Sequence, residues 1–585
     1  MKQFTNLRDR WKGFLDTLTR FPLTIILLTA SVITNAIAIN TQEDEIYIRL
    51  FITFVLGASI YTVCQLLYER YFDNLLVRFA FAGVTIIISI VYYLLINNTH
   101  WGAVVTTRTI VIFFILLIGF LWVPVIKSKI NFNQSFTAAF KAFFITVFFT
   151  GILFLGTVLI VRAIDTLIVR VNERAYGHAA NIIFVLLAPI YFLTLIPLYP
   201  KKVEEQASSE KIDNRLISPT KLLETLVSFI IIPITAVFTI ILLLYIVMNI
   251  TGAFWTDNLM EPLLLSYSIT VIIVYLLANN MKSAFSKYFR MIFPKVLVPV
   301  VLFQTLSSIL RIGNIGVTYG RYYVILFGVF ATVAGFLFCI LPVRKNGIIA
   351  PILIALSVIS IVPPIDAFTV SKVNQIGRLE NALKRNNMLE GKTIIPKTNV
   401  SIEDQEIILS SVRYLDSMEY SKDIIWLTAY TEAYNFNNTF GFSQSEIDKN
   451  NYLNVYITRN ESTPIPITGY DYLIFKNISD QSGNIKISDF IYKDKSYTLR
   501  TDASLNNQVI LLEEDNQELI RLDMNEIYNK FSNTVDTKSV GTEEVTFTKE
   551  NSSAILTVIA QTININEWEG GKDQYADVYI MVYIK

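Results

Sequence analysis

The sequence predicts a membrane all-α bundle of about 11 transmembrane helices, followed by a soluble α+β, β-rich C-terminal domain. Two observations support this prediction. Of 585 residues, 53% are hydrophobic and 17% are charged, whereas soluble domains are roughly 25% charged. Residues 366–585 have a net charge of −11, and the rest of the chain has a net charge of +12. A charge difference of this size between two parts of a chain indicates two environments.

Residues 1–20 predict a basic amphipathic helix that lies in the membrane interface. Apolar residues recur among basic ones at helical spacing, at Phe4, Leu7, Trp11, Leu15 and Leu18. This pattern is typical of helices that bind anionic lipid headgroups, and it favours a membrane anchor over a nucleic-acid-binding arm. A cleaved signal peptide is the alternative, but no small-residue cleavage site closes the apolar run that follows.

Apolar runs make up the predicted transmembrane bundle, residues 21–364. Each run is close to the ~20 residues that a helix needs to cross a hydrocarbon layer of about 30 Å. The runs lie at about 21–40, 47–67, 76–97, 103–126, 138–161, 179–198, 222–249, 262–278, 292–310, 322–343 and 347–363. The last run ends at Pro363 and Pro364, which cannot donate backbone hydrogen bonds.

The distribution of Lys and Arg predicts the side that each connection faces. With a cytoplasmic N-terminus, the inner segments hold 19 basic residues. The outer connections and outer helix ends hold 7, namely Arg49, Arg108, Arg162, Arg170, Arg174, Arg311 and Arg321. Basic residues are retained on the cytoplasmic side during insertion, so the N-terminus is predicted to lie inside. An odd number of spans then places the C-terminal domain outside, and one span more or fewer would reverse that side.

The chain after the last span reads as water-soluble. Residues 365–400 predict a linker with an amphipathic helix at 371–389, because apolar residues are spaced for one helix face. Residues 401–585 predict an extracytoplasmic β-rich domain. Its first helix, around 402–418, is followed by runs of alternating apolar and polar residues joined by short polar turns, which is typical of strands.

Three segments support a resemblance to a known family. They are Arg20-Phe21-Pro22-Leu23-Thr24, at the entry to the first span, and residues 311–322 and 363–379. Together they resemble the bacterial multi-pass membrane family catalogued as domain of unknown function 4153, and the resemblance covers most of the chain. It implies a bundle in the bacterial cytoplasmic (inner) membrane with an appended soluble region. It implies no established activity.

The sequence lacks the common motifs of catalytic chemistry. It has no Walker-type phosphate loop, no Gly-x-Ser-x-Gly, no His-Glu-x-x-His and no Cys-x-x-Cys. This lowers the expectation of an enzyme without excluding one, and no cofactor is predicted. His100 and His178 fall in predicted outer connections, on the same side as Asp165 and Glu173. A metal site would need all four to converge, and two lone histidines in polar loops are more often solvated, so no metal is predicted.

Two sets of charged residues near the bilayer edge are candidate sites, because a charge close to lipid commonly faces a cavity or a partner. Arg162 and Asp165 are three residues apart, so on a helix they share a face and can form an ion pair. The alternative is that Arg162 and Asp165 form a local ion pair at a helix end, with a structural role only.

The second candidate is an anion or interdomain contact formed by Arg311, Gly316, Thr318, Arg321 and Asp366. Two guanidinium groups flank a glycine-rich loop whose backbone N–H groups can help hold an anion. We expect the arginines to bind either a carboxylate of the linker, with Asp366 the nearest in sequence, or an anionic lipid headgroup. The alternative is that both arginines extend to the membrane surface and contact only water and lipid.

Three classes of function remain open. The first is a sensory, binding or structural envelope protein whose external domain binds a small ligand or another envelope protein. The second is a transporter or a lipid-handling protein, although the spans contain few deep charges of the kind that carriers use for coupling. The third is a membrane-embedded enzyme, for which no nucleophile or base is evident. In all three, the predicted partners include membrane lipids and exclude nucleic acid.

Overall fold

The computed structural model divides the chain into two compact units. The membrane unit comprises Met1–Ala382 and Ser410–Ile424, and the β-rich unit comprises Leu383–Leu409 and Ile425–Lys585. The residues that the structure describes are 15–41, 45–97, 99, 101–126, 128, 130–199, 218–249, 260–427, 430, 436–442, 452–479, 485–502, 509–515, 517–532, 538–568 and 571–585. Of the predicted N-terminal helix, only residues 15–20 are described, and they are helical.

The membrane unit confirms the predicted bundle. Among the described residues, 10 helices are long and apolar enough to cross a membrane. They are α1 (Pro22–Thr41), α2 (Glu45–Tyr71), α3 (Leu75–Asn97), α4 (Ala103–Trp122), α5 (Phe132–Leu167), α6 (Arg174–Thr194), α7 (Lys221–Met248), α8 (Met260–Ala278), α9 (Ala284–Leu310) and, after the short helix α10 (Ile312–Ile315), α11 (Tyr319–Ile340). Helices α6 and α7 each contain a π-helical segment, at Asn181–Leu187 and Val227–Ile231.

A further pass follows α11 and is built from two kinds of helix. A 3₁₀ helix of 6 residues, Val343–Ile348, leads into α12 (Ile349–Ile359), which has 11 residues. At ~2.0 and ~1.5 Å per residue they span about 28 Å, close to a hydrocarbon layer. The segment packs along α4. It therefore crosses the bundle although α12 alone is too short.

Contacts at the helix ends show that the chain alternates between two ends of the bundle. Arg20 pairs with Glu69, so the start of α1 meets the end of α2. Arg49 donates to the carbonyl oxygen of Ile96, so the start of α2 meets the end of α3. We call the end with Arg20 the entry end and the opposite end the exit end. After the eleventh pass, the chain leaves the bundle at the exit end.

Small residues bring neighbouring helices of the bundle together. A Cβ placed on Gly328 of α11 would lie 2.1 Å from Oγ1 of Thr305 on α9, and one on Gly335 would lie 2.8 Å from a methyl of Val298. Helices in lipid associate through such close backbone approach, because lipid tails are as apolar as leucine. The close approach of α9 and α11 therefore requires glycine at these two positions.

The predicted linker helix and the first predicted helix of the tail are present. The linker helix is α13 (Ala367–Arg385), and the tail helix is α14 (Ile402–Ser417). A two-stranded hairpin lies between them, with β1 at Leu389–Glu390 and β2 at Thr393–Ile394. A short helix, α15 (Phe436–Phe440), follows α14.

The β-rich unit contains two larger sheets and one more helix. The strands are β3 (Tyr452–Arg459), β4 (Tyr472–Ser479), β5 (Lys486–Tyr492), β6 (Lys495–Asp502), β7 (Val509–Glu514), β8 (Gln517–Asp523), β9 (Lys538–Val540), β10 (Thr546–Glu550), β11 (Ala554–Trp568) and β12 (Gly571–Ile584). The 6-stranded sheet has the order β4-β12-β11-β3-β9, with β10 also paired to β11, and the 4-stranded sheet has the order β5-β6-β7-β8. Helix α16 (Met524–Phe531) follows β8, and Asp523 caps it.

One face of the six-stranded sheet forms the core of the β-rich unit. Leu556, Val558, Val578 and Ile580 are fully buried there, in one cluster with Ile527 of α16 and with apolar residues of the four-stranded sheet. The fold class predicted from the sequence, a membrane bundle followed by a β-rich α+β region, is confirmed.

Candidate functional site

Helix α13 begins at the exit end with a buried carboxylate as its N-cap. Asp366 Oδ1 accepts hydrogen bonds from the N–H groups of Phe368 and Thr369, at 3.1 and 3.2 Å. Its Oδ2 accepts from the Thr369 hydroxyl at 2.6 Å. A carboxylate at this position satisfies N–H groups that have no partner within the helix and is favoured by the helix dipole. Asp366 thus fixes where the chain leaves the bundle.

The cation that neutralises Asp366 is Arg108, in the second turn of α4. Arg108 Nη2 lies 3.2 Å from Asp366 Oδ1, and its guanidinium lies over the ring of Phe368. Burial alone would raise the pKa of Asp366, but hydrogen bonds from Thr369, Arg108 and Phe368 outweigh burial and hold that pKa below its ordinary value. Asp366 is therefore a charged carboxylate at neutral pH.

Asp366 pairs with Arg108 rather than with Arg311 or Arg321, the partners expected from the sequence. The physical reason is the eleventh pass, which packs along α4 and brings its end beside the start of α4. The sequence placed Arg108 among the outer basic residues. It offered no signal that singled Arg108 out, because the two residues are 258 positions apart.

Gly316 of the glycine-rich loop lies directly under α13. Its φ is +78°, and a Cβ added to it would lie 2.6 Å from both Arg378 Cδ and Gln375 Nε2. Gln375 Nε2 donates to the carbonyl oxygens of Ile315 and Val317, at 3.1 and 3.2 Å. Glycine is therefore required here both for the left-handed backbone and for the close approach of α13.

Thr318, Arg321 and Arg311 organise the start of α11. The Thr318 hydroxyl accepts from the N–H of Arg321 at 3.3 Å and caps the helix. The Arg321 guanidinium donates to the carbonyl oxygen of Arg311 at 3.3 Å. One turn before Arg311, Ser308 donates to the Glu261 carboxylate at 2.6 Å. Arg311 itself is buried, so it is held inside the protein.

Tyr414, on α14, completes the assembly, and sequence reasoning missed it. Its hydroxyl donates to Ser371 Oγ at 2.8 Å and accepts from the N–H of Tyr319 at 3.1 Å. The Tyr319 ring stacks on Phe368, with centroids 5.6 Å apart. Burial raises the pKa of Tyr414, so its hydroxyl stays protonated and able to donate. Nothing in the sequence distinguishes this tyrosine from the others.

We call this assembly the joint. It is formed by Arg108, Asp366, Tyr414, residues 311–321 and the α13 residues that touch them. Most of the hydrogen bonds described above join its side chains to backbone carbonyl and N–H groups. The arrangement is suited to holding three chain segments in fixed register, namely α13, α14 and the loop between α9 and α11.

The remaining residues singled out in the sequence lie apart from the joint. Arg162 Nη1 is 2.9 Å from Asp165 Oδ2, and Asp165 Oδ1 also accepts from the N–H of Val171, so the pair ends α5. His178 Nε2 is 3.2 Å from Asn40 Oδ1, whereas His100 lies outside the described residues. Within the described part of the chain, no group of three His, Cys, Asp or Glu residues is placed to hold a metal.

A cavity of about 230 Å³ lies within the membrane unit, between α1, α2, α4 and α6. Its lining is mostly apolar, with the side chains of Phe113, Leu117 and Phe192 contributing. Two hydroxyl groups in the lining, those of Thr24 and Thr62, bond to each other at 3.1 Å. The cavity contains no charged side chain among its described lining residues.

A larger groove of about 900 Å³ lies in the β-rich unit. One wall is the connection between β3 and β4, at 463–470, and the other is a 3₁₀ helix, Thr542–Val545. The floor is formed by Thr557, Ile559 and Met581. Polar hydroxyls and apolar side chains thus meet in one concave surface, which is the usual form of a ligand site.

A family model described as Domain of unknown function (DUF4153) matches residues 24–390. The match confirms the resemblance seen in the sequence. It contains the joint, apart from Tyr414, and ends at β1, so the two larger sheets of the β-rich unit lie beyond it. No curated protein and no solved structure matches the chain.

Proposed function

The chain belongs to the family of the Domain of unknown function (DUF4153) and is a multi-pass membrane protein, and from this premise we propose that it is a sensory or binding protein of the bacterial envelope. In this proposal the bundle lies in the cytoplasmic membrane, and the β-rich unit lies outside it and binds a ligand or an envelope protein. The joint is the observation that carries the proposal.

The joint favours transmission over simple tethering. A passive anchor needs only a covalent linker, and flexible linkers leave the domains that they connect independent. Here Gln375 and Tyr414 bind backbone groups on both sides of the loop between α9 and α11. A displacement of α13 or α14 would therefore require hydrogen bonds of this loop to break or move with it.

The proposed orientation rests on charge and on the number of passes. Basic residues concentrate at the entry end, as Arg20, Arg344 and Lys345 do, and cytoplasmic loops carry such an excess. Because the first helix starts at the entry end and the eleventh pass finishes at the exit end, α13 starts on the side opposite to Arg20. This supports an extracytoplasmic β-rich unit.

Cysteine labelling in cells tests the orientation. We would replace the two native cysteines, Cys64 and Cys339, by serine and introduce Asp494→Cys, at an exposed turn of the β-rich unit. A membrane-impermeant maleimide should label this site in spheroplasts. Lys345→Cys, at the exposed entry end, is the matched control and should be labelled only after lysis. The opposite pattern would refute the orientation.

Ligand-induced stabilisation tests the binding role. Full-length protein in nanodiscs would be heated with fractions of envelope extract, and a ligand should raise the melting temperature. Gln375→Ala should leave binding in the β-rich unit intact but abolish any change that the ligand causes in the accessibility of a cysteine at Lys345. Unchanged transmission in this variant would contradict the role of the joint.

Lipid handling is the second candidate, favoured by the cavity between α1, α2, α4 and α6. Its volume and apolar lining suit part of an acyl chain. Filling it through Ser59→Phe should reduce the phospholipid that co-purifies with the protein, as measured by native mass spectrometry. The lipid-facing change Leu155→Phe is the control, and equal lipid retention by both variants would remove this candidate.

A further inference from the structure

The six-stranded sheet has a second face that is only partly covered, since Ile559 and Met581 are buried on it whereas Phe475 is exposed. Directly opposed residues of antiparallel strands share a face, and the register places Phe475 opposite Tyr579 and Asn477 opposite Asp577. The Phe475 ring is 55% exposed, and its centroid lies 5.0 Å from that of Tyr579. We call this surface, formed by the side chains of β4, β12, β11 and β3 that point away from the core, the outer face.

Planar polar groups lie beside these two rings on the outer face. Asp577 accepts hydrogen bonds from Asn477 Nδ2 and from the Thr562 hydroxyl, both at 2.8 Å. In the next row, Asn564 Nδ2 donates to the Tyr575 hydroxyl at 2.8 Å. Asn564 Oδ1 is buried and has no hydrogen-bond partner among the described residues. An acceptor left in this state is costly unless a ligand or water satisfies it.

The groove and the outer face are one continuous surface. Thr557, Ile559 and Met581 form the floor of the groove. The register places Ile559 in the row of Phe475 and Tyr579, and Thr557 and Met581 in the next row of the same face. The walls above this floor add hydroxyl groups at Thr463, Thr468, Tyr470, Thr542 and Thr546. A ligand that fills the groove can therefore extend onto the two rings.

A buried arginine holds the two walls of the groove together. Arg459 Nη1 donates to the carbonyl oxygen of Thr463 at 2.6 Å, on one wall, and to the Thr542 hydroxyl at 3.3 Å, on the other. Its Nε donates to Gln561 Oε1 at 3.0 Å. Arg459 thus donates its hydrogen bonds to other groups of the protein and holds the two walls in place. The groove is therefore largely pre-formed.

The charge of the groove restricts its ligand. Among the described residues that line it, Glu543 and Glu544 are acidic and none is Lys or Arg. Lys530 donates to the carbonyl oxygen of Glu544 without lining the groove. A polyanion would meet like charge here, so phosphate-rich and nucleic-acid ligands are disfavoured. Neutral and cationic ligands are compatible.

From these features we propose that the outer face and the groove bind a neutral or amine-bearing glycan chain. The Phe475 and Tyr579 rings stack on the C–H faces of sugar rings, and the hydroxyl and amide groups exchange hydrogen bonds with sugar hydroxyls. An extended peptide is the other occupant to consider, and it would use apolar side-chain pockets. We favour the glycan because five of the described wall residues carry hydroxyl groups, whereas only two of them, Pro464 and Pro466, are aliphatic. The assignment rests on the proposed function in one respect, the extracytoplasmic location of the β-rich unit.

Binding to defined sugars tests the proposal. Full-length protein in nanodiscs would be applied to an array of hexasaccharides, namely chito-, cello-, malto-, laminari- and chitosan oligomers, with polygalacturonate and heparin oligomers as anionic probes. At least one neutral or amine-bearing oligomer should bind. Phe475→Ala and Tyr579→Ala should each weaken its affinity at least tenfold, because each removes a stacking ring. Phe475 is exposed, so Phe475→Ala should melt close to the parent, whereas Tyr579 packs against the core and Tyr579→Ala would be compared with the parent below its own melting temperature.

The matched control is Ile491→Ala, on β5 of the other sheet, whose side chain is 73% exposed. It should bind the same oligomer with unchanged affinity. Failure of every neutral and amine-bearing oligomer to bind, equal binding by the anionic probes, or unchanged affinity in Phe475→Ala would each overturn the glycan assignment. These results leave the labelling pattern of Asp494→Cys untouched, so a failure here is distinguishable from a failure of the proposed orientation.

Discussion

The membrane unit and the β-rich unit both bury apolar side chains, but they differ in what their helices and strands leave exposed. In α3, Thr85 and Ser89 are buried against other helices, while Ile87 and Leu95 are exposed at 63% and 65%. In β12 the pattern is reversed, because Val578 and Ile580 are fully buried. Large apolar side chains therefore cover much of the outside of the bundle, in addition to those buried inside it, whereas most of those in β12 lie in the core.

The difference follows from the solvent of each part. Water drives apolar side chains of the β-rich unit into a core, at about 25 cal/mol per Å² of apolar surface buried. A helix in lipid gains nothing comparable, since its apolar side chains are already in an apolar medium. Its contacts depend on close packing of small residues, such as Gly57 against Ser89. Exposure of apolar residues is thus expected on the lipid-facing helices of one unit, whereas in the other it marks the surface for which we propose a ligand.

The largest expected effect compares one substitution in the two units. Leu556→Ala removes a fully buried side chain of β11, and such changes cost about 2–5 kcal/mol. Leu155→Ala, on α5, changes a side chain that is 63% exposed towards lipid, and we expect a change under about 0.5 kcal/mol. Pulse proteolysis of the full-length protein measures both. Similar losses of stability in both variants would contradict the proposed difference between the two units.

A second comparison exchanges small residues within the bundle. Gly328→Leu forces a side chain against Thr305, where even a Cβ would lie 2.1 Å from Oγ1. We expect overpacking to cost about 1–3 kcal/mol and to reduce the monodisperse fraction in size-exclusion chromatography. In Gly151→Leu the added Cβ meets nothing within 4 Å, so this variant should elute like the parent. Loss of the parent profile in Gly151→Leu would show that α5 packs more tightly than its surroundings indicate.

A smaller effect concerns pH and one carboxylate in each unit whose pKa is lowered by hydrogen bonds. Asp366 has a pKa held below the ordinary 3.8, so its stabilisation is present above the unfolded-state pKa and is lost as the pH falls through the lower folded-state value. Asp366→Asn should therefore flatten the decline in melting temperature below about pH 4. A decline as steep as that of the parent would exclude Asp366 as its source.

Asp404 provides the same test in the β-rich unit. Burial would raise its pKa, but hydrogen bonds from Asn386 and Arg385 outweigh burial and lower it. Asp404→Asn should thus reduce acid sensitivity of the β-rich unit only, as reported by pulse proteolysis of that unit. An effect of Asp404→Asn on the accessibility of bundle cysteines would contradict this separation.

The smallest effect is expected at the exposed ion pair that ends α5. The Arg162 side chain is 69% exposed, and such pairs contribute about 0–1 kcal/mol, so Arg162→Gln should melt almost like the parent. Arg20→Gln is the contrasting variant, because Arg20 binds both oxygens of Glu69 at 2.8 Å in a largely buried setting. Equal melting temperatures for the two variants would show that burial does not distinguish these pairs.

Much of the architecture could be read from the sequence because it depends on local composition. Runs of about 20 apolar residues, the change of net charge near Asp366 and the alternation along the later strands each report the surroundings of a short segment. The last pass was also predicted at 347–363, although its α-helical part, α12, covers only Ile349–Ile359. The length of the apolar run predicted this pass, whereas the length of α12 alone would not have done so.

Only part of the candidate site could be predicted from the sequence. Gly316 and Thr318 were singled out, and the structure shows each in a role that its residue type explains, a left-handed loop position and a helix cap. The partners of Asp366 and Gly316 were not evident. Arg108 is 258 positions from Asp366, and nothing local to Gln375 indicates that its amide binds the loop. Single-sequence patterns contain no information on such distant pairs.

By itself the sequence determined which parts of this protein lie in lipid and which in water, because hydropathy and charge act on each segment separately. Only the tertiary structure decided which arginine neutralises Asp366, that Tyr414 joins α14 to the joint, and which face of the six-stranded sheet carries the exposed Phe475. These outcomes depend on helix packing and strand register, in which a shift of one residue moves a side chain to the opposite face. Such a shift leaves the composition of every segment unchanged.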